Sequence, residues 1–134
     1  MRALRIALIA SSRYPVIQPF AGGLEAHVWH LAAALRKVGH DVTLFAGPGS
    51  DPELACELID VRPAPISTAA RSDISMPAEH FMQEHHAYLD LMLRLSRDYA
   101  ESFDVIHNHS LHYLPVAMTS TLNTPVLTTL HTPP

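Results

Sequence analysis

Ten histidines and one glycine pair carry most of the chemistry available to this 134-residue chain. Four of the histidines, His107, His109, His112 and His131, fall in or just after two short apolar runs, "DVIHNH" and "VLTTLH". His107 and His109 stand two apart on an extended segment, so their rings project to the same side. A neutral imidazole offers one donor and one acceptor nitrogen, which suits a substrate hydroxyl. His131 is the strongest functional candidate, because it ends its run in "HTPP" and the prolines after it force an extended exit. With His107 and His109 it would make a zinc set. No carboxylate or cysteine stands at a familiar ligand spacing, however, and Asp104 begins its strand at the opposite end, so no metal is expected. His107 reads as a satisfied buried histidine.

The glycine pair, Gly22 and Gly23, sits directly in front of a helical run in "FAGGLEAHVWHLAAAL". A helix start presents unpaired N–H groups and the positive end of the dipole, and glycine lets an anion approach the backbone without a Cβ in the way. The alternative is that the glycines only allow the turn from loop to helix, and the sequence leaves both readings open. The pair is not a dinucleotide fingerprint: Ala26 stands where a third glycine belongs, and Gly47-Pro48 rather than an acid closes the next strand. No Gly-Lys-Ser/Thr follows, so it is not a P-loop. Glu25 complements the helix dipole. Trp29 is placed opposite the apolar face of its helix.

The elements that must position these residues alternate. "LRIALIA" (4–10) is a short apolar run of the kind found in a buried parallel strand. Leu24, Val28, Leu31, Ala32, Leu35 and Val38 then recur at helical spacing, with Gly39 as a stop. "DVTLFAG" (41–47) is a second strand. A short strand is expected within "ACELIDVRPAP" and an irregular loop over "PISTAARSDISMP". A long helix runs from Ser75-Pro77 to about Ser102, with Phe81, His85, Tyr88, Leu89, Met92, Leu95 and Tyr99 on one side. "DVIHNH" (104–109) is a strand, "SLHYLPVAMTSTLN" a short helix, and "VLTTLH" a strand ending at His131. Strand–helix alternation predicts an α/β sandwich with a parallel sheet, whose ligands bind outside the carboxyl ends of the strands. Gly22-Gly23, His107-Asn108-His109 and His131-Thr132 all follow strand ends and belong to one crevice.

Composition bounds the rest. The length suits one domain, and 48% hydrophobic with 16% charged residues is ordinary for a globular chain. A net charge of −4 gives no reason to expect nucleic acid or an anionic membrane as a partner. The single cysteine, Cys56, rules out an internal disulfide framework and fits a reducing compartment. No apolar run approaches the ~20 residues of a membrane span. "MRALRIALIASS" mimics a secretory signal, but Arg5 interrupts it and the run leads straight into the glycine–helix unit.

Three segments in register, "AGGLEAHVWHLAAALRKVGHDVTLFA", "FDVIHNHS" and "TPVLTTLHTPP", resemble the N-terminal domain of GT-B-fold glycosyltransferases, most closely the retaining group of family 4. The resemblance implies a Rossmann-like three-layer sandwich over residues 1–134, forming the acceptor-side half of a cleft. Across that cleft a C-terminal domain holds the nucleotide sugar. It implies that Gly22 and Gly23 approach a phosphate, that His131 sits beside the donor sugar and the reaction centre, and that His109 and Thr132 line the substrate site. The implied reaction is transfer of a hexose with retention to a sugar, lipid or small-molecule acceptor, in the cytoplasm, with neither metal nor cofactor. The donor domain and its glutamate motif are absent from this stretch, so the chain reads as a truncated piece, inactive alone. The alternatives are a nucleotide-sugar epimerase half, for which the cleft lacks acid–base carboxylates, a stand-alone α/β module binding a phosphorylated or sugar ligand, and a histidine-based zinc hydrolase.

Overall fold

The structure, a computed structural model, describes residues 2–61 and 65–133. The tail of "ACELIDVRPAP" (62–64), Met1 and the last residue of "HTPP" lie outside the described residues. Five strands, β1 (Arg5–Ile9), β2 (Asp41–Ala46), β3 (Cys56–Leu58), β4 (Val105–Asn108) and β5 (Val126–Thr128), pair in parallel in the order β3-β2-β1-β4-β5. Between them run α1 (Gly23–Lys37), α2 (Thr68–Arg71), α3 (Glu79–Ser96) and α4 (Leu114–Ala117), followed by a 3-10 turn at Thr119–Thr121. This is the Rossmann-like α/β architecture that the alternation predicts.

From Ile6 to Ile9 strand β1 is apolar and buried, because it lies at the centre and both of its faces are covered; Arg5, at its exposed start, pairs with Asp104. Ile6 and Leu8 pack with Val28 and Ala32 of α1 on one side. Ala7 and Ile9 pack with Tyr88, Leu91, Met92 and Leu95 of α3 on the other. The chain moves outward from β1 through β2 to β3, then returns to the opposite side of β1 as β4 and β5. Register follows in step: Ile9 lies opposite both Phe45 and Asn108, and Asn108 lies opposite Thr128.

Helix α1 ends as the sequence suggests. Gly39 takes the left-handed conformation at φ 99°, His40 N–H donates to the Leu35 carbonyl and Gly39 N–H to that of Arg36, which together form a Schellman stop. Val38, expected on the apolar face, is the cap residue and is exposed. Trp29 does not stand apart from the core. Its indole N–H donates to Asp51 at 2.9 Å and its ring meets Phe20, tying the helix to the loops after β1 and β2.

Other boundaries differ as well. Helix α3 stops at Ser96 rather than near Ser102, because the chain unwinds through Arg97 to bring Tyr99 and Phe103 edge-on against Phe45. Phe81 lies in its first turn, half exposed beside His85. The short α2, capped by the Ser67 hydroxyl on the Ala70 N–H, occupies part of the expected irregular loop. β5 ends at Thr128, three residues before His131. Among the described residues, no helix is long and apolar enough to cross a membrane.

Tyr88 joins α3 to the loop that follows β1. Its hydroxyl donates to the Ala10 carbonyl and accepts from the Ser12 N–H, both at 2.9 Å, and burial pushes its pKa up to about 12. Replacing Tyr88 with Phe leaves these backbone groups without their partner, which costs about 1–3 kcal/mol. Urea unfolding of the Tyr88→Phe variant is expected to show that loss; an unchanged midpoint would mean that the loop does not depend on the hydroxyl.

Candidate functional site

The order in which strands are added reverses at β1, with β2 on one side and β4 on the other, and a crevice opens at such a switch point beyond the carboxyl ends of the strands. Three chain segments meet there. The loop after β1 leads to Gly22 and α1. The segment after β4 begins with His109, whose N–H donates to the Ile9 carbonyl at 2.8 Å and extends the β1–β4 ladder by one bond. The segment after β5 is anchored by the Thr129 N–H on the Asn108 carbonyl at 3.0 Å and carries His131. Asn108 is fully buried and fixes both turns: its carboxamide oxygen accepts from Ser110 N–H and its nitrogen donates to the Thr128 hydroxyl.

Three imidazoles converge in this crevice. His109 Nδ1 and His131 Nε2 face each other at 3.0 Å. His27, on the second turn of α1, closes the group. Its ring centre lies 5.4 Å from that of His109 and 5.3 Å from that of His131, while the His109 and His131 centres are also 5.3 Å apart. His109 has no exposed surface, and its Nε2 has no hydrogen-bond partner. Burial, reinforced by the neighbouring imidazoles, lowers its pKa to about 3. Burial also lowers the pKa of His131, with His27 adding to the effect and Glu25 opposing it. His109 is therefore uncharged at neutral pH.

His107 does not join this trio. Its Nε2 bonds the Thr129 hydroxyl at 2.8 Å, and although its ring centre lies 3.9 Å from that of His109, with the two planes tilted, it is only half-buried. His112 stacks on Tyr88 at 4.7 Å and accepts from the Leu114 N–H, which holds the start of α4. The sequence-level grouping of His107, His109 and His131 is thus replaced by His27, His109 and His131. His27 had a legible signal. It stands four residues after Gly23, on the same face of a helix whose start was already assigned to the crevice.

The glycines sit where the sequence places them, at the start of α1. Gly22 is the N-cap, extended at φ −165° and ψ −175°, a conformation open to any residue. Among the described residues, glycines with positive φ occur at Gly39 and Gly49. Backbone conformation therefore does not account for Gly22 and Gly23. A Cβ on Gly22 would lie 3.1 Å from the buried Glu25 carboxylate, and a Cβ on Gly23 would meet nothing within 4 Å. No side chain caps the helix start. His131, Thr132, Asn108 and Ser110 line a cleft of about 390 Å³ beyond the ends of β4 and β5, together with Tyr113 and Leu130.

The model of Glycosyltransferase Family 4 matches residues 21–134, a stretch that contains every crevice residue named above from Gly22 onward. No curated protein matches the chain.

Burial of uncharged His109 links stability to pH. The unfolded chain takes up this proton near pH 6.5, the folded chain only near pH 3. Between those values the unfolded state holds more protons, so stability is complete above about pH 6.5 and falls with decreasing pH by up to about 1.4 kcal/mol per unit. Urea midpoints measured in chelator-containing buffer are expected to fall from about pH 7 to about pH 4.5, and less steeply in His109→Gln. Equal slopes in both proteins would show that His109 is not the group responsible.

Proposed function

The chain belongs to glycosyltransferase family 4, and on that premise we propose that it forms the acceptor-side half of a retaining hexosyltransferase. The observation that carries this reading is the pairing of an uncapped, glycine-fronted helix start with a histidine, His131, in the neighbouring cleft. The phosphates of a nucleotide sugar approach the α1 start, where the N–H groups and the helix dipole favour negative charge and Gly23 presents no side chain. His131 directs a hydrogen bond to the transferred sugar, while His109, against its Nε2, holds the ring in place. Thr132 contributes a hydroxyl at the exposed mouth of the cleft.

In the reaction, the bond between the anomeric carbon and the leaving phosphate breaks, and the acceptor oxygen attaches on the same face. The leaving phosphate takes the acceptor's proton. Groups already positioned for developing phosphate charge are an economical source of rate enhancement, because they need no reorganisation during the step. The nucleotide is held mainly by a C-terminal donor domain, so this chain turns over only when joined to one. The acceptor is a sugar, lipid or small molecule, and neither a metal nor a cofactor takes part. The net charge of −4 supports a small-molecule rather than a nucleic-acid partner, and the free, exposed Cys56 supports a cytoplasmic setting.

Two substitutions test the assignment in a protein that carries the donor domain. Gly23→Val places a side chain in space that is open in the folded chain, and is expected to lower kcat/KM about 100-fold or more while leaving Tm unchanged. His131→Ala is expected to lower kcat by a similar factor, with a much smaller loss of stability. Parallel losses of stability and activity would instead assign both positions to the fold.

A further inference from the structure

We propose that His27, His109 and His131 form a binding site for a divalent transition-metal cation, with zinc the best fit, and that the ion competes with the hydrogen-bonding role of His131. The three side chains each offer one ring nitrogen, and these atoms all lie within 4.8 Å of one another. Three imidazoles bound to one tetrahedral zinc at Zn–N distances of about 2.0–2.1 Å place their nitrogens about 3.4 Å apart and their ring centres about 5.2 Å apart. The observed ring centres form a nearly equilateral triangle with sides of 5.3, 5.3 and 5.4 Å. His27 is exposed on its helix, so rotation of its side chain can close the remaining gap.

The protein's own hydrogen bonding leaves this cluster short of partners. Two imidazole nitrogens meeting at 3.0 Å share one proton, and the other nitrogen of His109 is buried with no partner at all. A borderline cation coordinated by neutral imidazoles can take the position of the proton shared between His109 Nδ1 and His131 Nε2. His109 comes from the end of the β4 ladder and cannot move far. His131 and His27 approach it from two other segments, so three separate elements would be clamped by one ion. The fourth coordination position points away from the three ligands, as in an open site. That the ion would displace a sugar contact at His131 rests on the function proposed above; the binding itself does not.

The test uses the purified 134-residue chain, freed of metal with chelator and titrated with Zn²⁺ by calorimetry and with Co²⁺ by its visible absorption. One equivalent is expected to bind, with Co²⁺ giving the intense bands of a low-coordinate site. His27→Ala and His131→Ala are each expected to raise the Kd about 100-fold or more, since changes even in the outer shell of a metal site cost about 10–100-fold. His27 and His30 also stand three apart on α1, the spacing of a surface metal-binding pair, so His30→Ala is the control and is expected to leave the Kd unchanged. The proposal is overturned if no saturable binding occurs. It is equally overturned if His30→Ala abolishes binding while His131→Ala does not. Because no readout depends on turnover, loss of this site would leave the transferase reading standing, and absence of transferase activity would leave the metal site standing.

Discussion

The return of the chain to β1 from the side opposite β2 is the constraint on which the rest of this structure depends. β1 is already paired with β2, so β4 has only one free edge at the sheet's centre to occupy. Taking that edge places Asn108 opposite Ile9 and directs the next residue, His109, onto the last carbonyl of β1. The loop that leaves β1 must then rise away from the sheet before α1 can pack back over Ile6 and Leu8. The carboxyl end of β1 is left between two diverging segments, and that gap is the crevice. No side chain in the site is placed independently of this ladder.

Burial then sets the chemistry. His109 occupies a position with no access to water, and its neighbours on two sides are imidazoles rather than carboxylates. A charge placed there would be desolvated and repelled, so the ring stays neutral. Glu25, in the first turn of α1, opposes the lowering of the His131 pKa, and its carboxylate lies 3.1 Å from where a Cβ on Gly22 would project. The site thus combines an uncapped helix start with neutral nitrogen ligands. Such a combination offers N–H donors and imidazole nitrogens to phosphate and hydroxyl groups.

Much of this was legible in the sequence. The apolar run of "LRIALIA" reports a strand covered on both faces, and Gly39 reports the end of α1, because each has one dominant physical cause. The crevice followed from alternation alone. What failed were assignments that depend on distance in space. His27 belongs to the histidine cluster only because α1 leans its first turns over the end of β4, an angle set by packing against the sheet. His107, two residues from His109, is drawn instead to Thr129 by the pairing of β4 with β5. Tyr99 continues a helical pattern, yet the chain unwinds before it because Phe45 offers a better contact than another helical turn. Trp29 looked exposed because the partner of its indole N–H, Asp51, lies in a loop more than twenty residues away.

Ligand binding in the gap between β1 and β4 is open to test by titration of ¹⁵N-labelled chain with a nucleoside-diphosphate hexose, following backbone amides and imidazole nitrogens by NMR. Shifts are expected to concentrate at Gly22 to Ala26, at His109 to His112 and at His131 and Thr132. Shifts confined to the opposite end of the sheet, or to the exposed helix α2, would contradict it.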